Sequence, residues 1–154
     1  MKELEKRILG VWIVGAFVIS TVLGGILGSI VGALFNISTV LSVSGVFSVL
    51  VILFTTYMSL RYQAWGFELR EDHLYIEHGV FRKVKTMVPF VRIQHVDSQR
   101  GLIERTVGLS KVIVYTAGSR GADVSIPGLL PLDAETIQEK LRDVAIDSED
   151  RDGV

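Results

Sequence analysis

The chain has 154 residues, 16 Lys and Arg against 17 Asp and Glu, a formal net charge of -1 and no cysteine. The missing thiols rule out disulfides, thiolate nucleophiles, iron–sulfur clusters and cysteine-based zinc sites. The near-even charge balance supplies no overall field that would seek nucleic-acid phosphates.

Residues 1–7 form a short basic start with Lys2, Lys6 and Arg7. From Ile8 to Leu60 there is no Asp, Glu, Lys, Arg or His. About 20 apolar residues cross a hydrocarbon core of about 30 Å as a helix, so this run is long enough to cross twice. The turn-forming cluster Phe35-Asn36-Ile37-Ser38-Thr39 divides it. The pattern therefore predicts transmembrane helices over 8–35 and 40–60, joined so closely that they must be antiparallel neighbours. The first, about 42 Å long at 1.5 Å per residue, must tilt, bend or project from the bilayer. A cleaved signal peptide would also begin with basic residues, but its apolar core is about half as long and no second span follows it.

Lys2, Lys6 and Arg7 precede the pair, Arg61 and Arg70 follow it, and the turn has no basic residue. The positive-inside rule then places both ends in the cytoplasm, as in a multi-pass protein of the cell membrane. Trp12, Tyr57, Tyr62 and Trp65 belong near that same interface. Gly24, Gly28 and Gly32 recur every four positions, beside Gly25, Ser29 and Ala33, and Ser44, Gly45 and Ser48 give the second helix a similar face. Small faces let helices approach closely in lipid. They suit packing within the hairpin or dimerisation of copies. A conducting path is disfavoured, because the spans lack the ionisable residues that mark ion pathways.

Beyond Arg61 the pattern changes to short runs rich in Val, Ile, Tyr and Phe separated by turn residues, which read as strands. They are expected over 63–69, 74–77, 80–88, 92–97, 111–116 and 123–126. Glu71-Asp72, His78-Gly79 and 117–121 are the connections, and Ser98 to Gly108 can hold a helical turn. Gly79 suits a positive φ and Pro89 an edge or bulge. Gln94 is expected to bond neighbouring backbone, and His95 to be a partly buried packing residue. Pro131 with a capping Asp133 opens a last helix, whose Ile137, Leu141, Val144 and Ala145 form one apolar stripe. The class is α+β, mainly β: a transmembrane hairpin, then an antiparallel sandwich or barrel over 62–145 closed by a C-terminal helix. The acidic residues 146–154 are expected to be a disordered tail.

Three segments stand in a telling order: Leu74-Tyr75-Ile76-Glu77-His78-Gly79, then Pro89-Phe90-Val91-Arg92-Ile93-Gln94-His95-Val96, then Gly101-Leu102-Ile103-Glu104-Arg105 leading to Gly108-Leu109-Ser110-Lys111-Val112. On them, the stretch from Tyr62 to about Val144 resembles the pleckstrin-homology (PH) domain of the YdbS-like bacterial membrane proteins. Members of that family also tend to place the domain after a pair of spans. The resemblance implies a PH-like fold of two packed sheets and a C-terminal helix, on the cytoplasmic side, and it implies no enzymatic activity. Eukaryotic PH domains that bind inositides generally use a basic loop between their first two strands. Here that loop reads Leu69-Arg70-Glu71-Asp72-His73, and its acids argue against inositide recognition.

Between Phe81 and Lys111 seven basic residues face two acidic ones. Arg82, Lys83, Lys85, Arg92, Arg100 and Arg105 are the candidate lipid- or partner-facing residues. Lys83 and Lys85 share one face of a strand while Val84, Thr86 and Val88 share the other. Basic side chains near an anionic leaflet contribute about 1 kcal/mol each; an ordinary solvated face is the plainer alternative. His73 and His78 lack helical metal-site spacing. Ser98 and Ser110 lack a nucleophile elbow, and Gly118-Ser119-Arg120-Gly121 is no P-loop. No catalytic, cofactor or metal residue is expected. The expected function is a membrane-anchored interaction module docking on a protein partner, a second copy or the anionic inner leaflet. The alternative is a subunit of an oligomeric transport assembly.

Overall fold

The computed structural model describes residues 2–117 and 124–152. Two compact units divide the chain: Leu9–Gln63, and Met1–Ile8 together with Ala64–Val154.

In the apolar unit, α1 runs Lys6–Phe35 and α2 runs Thr39–Gln63, each a turn or less longer than the sequence predicts at its outer end. Asn36 ends α1 with φ 58°, and Ile37 N donates to Gly32 O at 3.1 Å. That is the bond a left-handed C-terminal cap makes, and Asn tolerates the conformation better than most residues. The facing stripe of α1 extends beyond the expected glycines to Ala16 and Ser20, both fully buried. Ser20 can sit there because its hydroxyl donates to Ala16 O at 2.8 Å. Phe17 and Phe47 meet edge to face with ring centroids 5.4 Å apart. The Arg61 guanidinium lies 4.5 Å over the Trp12 ring, which brings the outer ends of the two helices together.

The second unit holds two three-stranded antiparallel sheets, ordered β1-β2-β3 and β4-β5-β6, and not a closed barrel. The first contains β1 (Gly66–Leu69), β2 (His73–His78) and β3 (Val84–Pro89). A single 3-10 turn, Phe90–Arg92, leads to β4 (Ile93–Gln99), followed by α3 (Leu102–Val107), β5 (Ser110–Thr116) and β6 (Val124–Leu129). The expected Gly118–Gly121 connection, and Asp123 at the start of the last expected strand, lie outside the described residues. β3 begins four residues later than expected because the chain first turns at Gly79, which has φ 109°. Gly108 caps α3 at φ 71°, so the expected helical turn is a short, properly terminated helix.

Alternation buries Phe67, Leu74, Ile76, Val88, Val112, Val114 and Ile126 between the sheets. The last helix, α4 (Pro131–Asp152), closes this core with Ala134, Ile137 and Leu141, while Val144 is only half buried. Burying one such aliphatic side chain contributes about 1.5–3 kcal/mol. Asp133 stands inside the first turn and not at the cap, since α4 starts at Pro131; there its carboxylate favours the positive end of the helix dipole. The helix also continues through Asp152, across most of the segment expected to be a disordered tail.

A larger departure concerns the N-terminus, expected only to precede the membrane. Lys2 pairs with Phe67 of β1, Glu5 N donates to Gly128 O of β6 at 2.8 Å, and Leu4 and Ile8 are buried. The apolar hairpin is thus an insertion within the domain, which begins before the first helix and resumes after the second.

Candidate functional site

A sheet edge exposes unpaired backbone groups that a partner can use. β1 is occupied at Phe67 by Lys2, and β6 receives Glu5 at Gly128. β4 is engaged from α4, where Gln138 Nε2 donates to Val96 O at 2.8 Å. β3 is the outer strand of its sheet, and no strand flanks its outer side among the described residues.

The register places Gly66 opposite Glu77, and Glu77 opposite Lys85. Tyr75 and Met87 are likewise paired, so Tyr75, Glu77, Lys85 and Met87 share one face of the sheet, on which Tyr75 is buried while Lys85 and Met87 are exposed. Val88 and Thr86 turn inward as expected, but Val84 at the frayed start of β3 is 37% exposed. Glu77 stands between two lysines, with Lys83 Nζ at 3.8 Å and Lys85 Nζ at 4.0 Å, and it accepts a hydrogen bond from the Tyr75 hydroxyl at 3.0 Å. Both lysines remain well exposed, and such surface pairs bind weakly. With Arg82 the hairpin carries three cations against one anion.

The hairpin turns at Gly79, where a Cβ would collide with the Arg82 carbonyl. This tight return throws Phe81 outward to 91% exposure, between Val80 and the cations Arg82 and Lys83. The cations are among the residues expected at the surface and the aromatic is not; Phe81 breaks the strand alternation, which is the signal the sequence offers for it.

The remaining basic candidates lie on other elements. Arg92 is exposed in the 3-10 turn. Arg100 Nε donates to Leu109 O at 3.2 Å, which ties the two sides of α3 together. Arg105 is exposed on α3, beside Leu102 and Ile103, which are also exposed. The β1–β2 loop is self-paired: Arg70 Nε meets Glu68 Oε2 at 3.2 Å, and His73 Nδ1 meets the Asp72 carboxylate. Each partner holds its carboxylate below the usual range, Arg70 for Glu68 and His73 for Asp72.

A groove of about 540 Å³ separates β4 from α4, with Gln94, His95, Glu139 and Arg142 among its lining residues. Gln94 is exposed at a bulge between Ile93 and His95. His95 is exposed too, and not partly buried as expected: the bulge turns Ile93 and Val96 inward instead, and His95 stacks on Tyr115 with ring centroids 4.0 Å apart.

In the apolar unit, a Cβ on Gly24 would meet Phe47 Cα at 3.0 Å, one on Gly28 would strike the Val43 backbone, and one on Gly32 would meet Ser42 Oγ at 3.3 Å. These glycines face α2. Ser44 and Ser48, expected on the matching face, are exposed, with Ser48 donating to Ser44 O at 2.8 Å. The packed face of α2 is instead formed by Ser42, Val43 and Phe47, which are more buried.

Two sheets, a closing helix and an inserted apolar hairpin define a membrane-anchored protein with a PH-like domain. Residues 11–145 match the bacterial PH domain family, and the chain belongs to it. It is 30% identical over 86 residues to the UPF0699 transmembrane protein YdbS of Bacillus subtilis (strain 168), across 56% of this chain and 52% of that protein. The chain thus spans about half the length of that relative. No solved structure matches it. With two helices long and apolar enough to cross a bilayer, the transmembrane relative makes this a membrane protein.

Proposed function

We propose that this protein is a non-enzymatic interaction module of the cell membrane, whose PH-like domain faces the cytoplasm and docks through the β2–β3 hairpin. One observation carries the reading: the other sheet edges are engaged from within the domain, while β3 and its turn present exposed basic and apolar side chains. The domain contains both flanks of the apolar hairpin, and the Lys and Arg on those flanks support the cytoplasmic side under the positive-inside rule. What docks there is a protein partner, a second copy or the leaflet.

A photo-crosslinking amino acid at Lys85 or Met87, compared in cells with one at Gly25 or Gly45, tests this reading. Adducts with lipid or protein from the β3 positions support it. Adducts from the helix positions alone would overturn it in favour of an assembly built by the spans, as a transport subunit would be. A cysteine at Met87 should react with a membrane-impermeant reagent only after the cytoplasmic face is opened.

A further inference from the structure

We infer that the β2–β3 turn inserts Phe81 into the anionic leaflet of the protein's own membrane, with the adjoining Arg82 and Lys83 holding lipid phosphates beside the entry point. This inference rests on the docking reading above and names its target.

Three observations carry it. First, Phe81 is the most exposed large apolar side chain described anywhere in the chain, at 91%, and it is followed directly by two cations. An aromatic tip bordered by basic residues is the composition that prefers a headgroup interface, where the ring sheds water and the charges meet phosphate. Second, β3 is a poor template for another strand. Lys85 lies on it and Pro89, which lacks an N–H, ends it, and both are devices that block edge pairing. A peptide partner adding a strand is thereby disfavoured, whereas a lipid surface uses side chains alone. Third, the covalent path is short. The register aligns Gly66 with Glu77 and Lys85, so the tip lies at the end of the sheet where β1 begins. Gly66 follows Gln63, the last residue of α2, by three positions, at most about 11 Å of extended chain.

Glu77 does not cancel the attraction. It faces Lys83 and Lys85, leaves Arg82 outside the pair, and is itself engaged by Tyr75.

The chain has no cysteine, so F81C carries a single environment-sensitive fluorophore in the 154-residue chain, reconstituted in nanodiscs of neutral or partly anionic lipid. A label at Leu132, which is 77% exposed at the start of α4, is the control. The expected result is blue-shifted emission at position 81, quenched by lipids brominated near the headgroup, in anionic discs and not at position 132. Replacing Arg82 and Lys83 with Gln should lower the ratio of inserted to free tip by roughly 30-fold, the effect of two basic residues near an anionic surface. Emission at 81 that stays water-like in anionic discs would overturn the inference. A blue shift insensitive to brominated lipid would also overturn it, while leaving a protein-docking module in place, since it would report burial against protein.

Discussion

Lys2 and Phe67 exchange two backbone hydrogen bonds, Lys2 N donating to Phe67 O at 2.7 Å and Phe67 N to Lys2 O at 3.1 Å. Sixty-five positions apart in sequence, they form a strand pairing across the whole apolar insertion. Because Glu5 reaches β6 from the same segment, residues 2–5 link the free edges of both sheets. Residues 2–5 thus join the two sheets through main-chain bonds.

The pairing is made by backbone, so the side chain at position 2 is dispensable and the N–H is not. Lys2→Ala should leave the domain's unfolding midpoint nearly unchanged, within about 0.5 kcal/mol. Lys2→Pro removes the donor to Phe67 and should destabilise measurably. Leu4 is 3% exposed, and Leu4→Ala should cost about 2–5 kcal/mol. Denaturant unfolding of the detergent-solubilised chain measures all three; an intact midpoint in Leu4→Ala would remove the N-terminal segment from the core.

Gly128 has φ 66°, and a Cβ there would lie 2.8 Å from Ile8 Cβ. Gly128→Ala should therefore suffer twice, from the left-handed backbone at about 1–2 kcal/mol and from the clash. Adding Ile8→Ala relieves only the second effect. The double variant should accordingly lose less stability than the two single losses summed, a coupling that a double-mutant cycle reads directly. Strict additivity would show that the two residues do not meet.

How much of this the sequence disclosed depends on the range of the interaction. The membrane hairpin was legible because one property, the absence of charge from Ile8 to Leu60, persists for the length of two spans. Strands β1, β2, β4 and β5 were legible from local alternation, and Gly79 from its turn chemistry. The N-terminal clasp was not, because Lys2 and Glu5 are held by backbone bonds that leave no side-chain pattern. At the candidate site, Lys83 and Lys85 were visible as outward residues of a strand. Phe81 shares the parity of Lys83 and Lys85, and an aromatic residue on that otherwise basic face was the signal of its exposure, but apolar character alone reads as core. Ser44 and Ser48 misled for a related reason: small size permits helix contact, but Val43 and Phe47 show that the glycines of the opposite helix receive larger side chains.

His73 Nδ1 bonds the Asp72 carboxylate and holds its pKa below the ordinary aspartate value. A depressed carboxylate pKa contributes stability that is fully present above the unfolded value, about 3.9, and is lost as pH falls through the folded value. Asp72→Asn removes that contribution. The stability difference between the two proteins should therefore be constant near neutrality and close in acid, below about pH 4. A difference that persists unchanged at pH 2 would mean Asp72 acts through packing or turn geometry and not through its charge.

Gly24, Gly25 and Gly28 form a graded test of how α1 meets α2. Alanine is a better helix former than glycine by about 1 kcal/mol, so wherever space allows, the substitution should be neutral or favourable. Gly25 has nothing within 4 Å of a new Cβ, and Gly25→Ala should follow that expectation. At Gly24 the Cβ meets Phe47 Cα at 3.0 Å, so the helices must separate by a few tenths of an ångström and the gain should vanish. At Gly28 the obstruction is the Val43 backbone itself, with its amide nitrogen at 2.8 Å, which no rotamer change can clear. Gly28→Ala should destabilise the hairpin by about 1–3 kcal/mol, and Gly28→Leu more, whereas Val43→Ala should fail to rescue either because the clash is with main chain. Resistance to unfolding in sodium dodecyl sulfate would rank the variants. The order Gly25, Gly24, Gly28 from least to most harmful is the expected outcome, and equal effects at Gly25 and Gly28 would mean that α1 does not present Gly28 to α2.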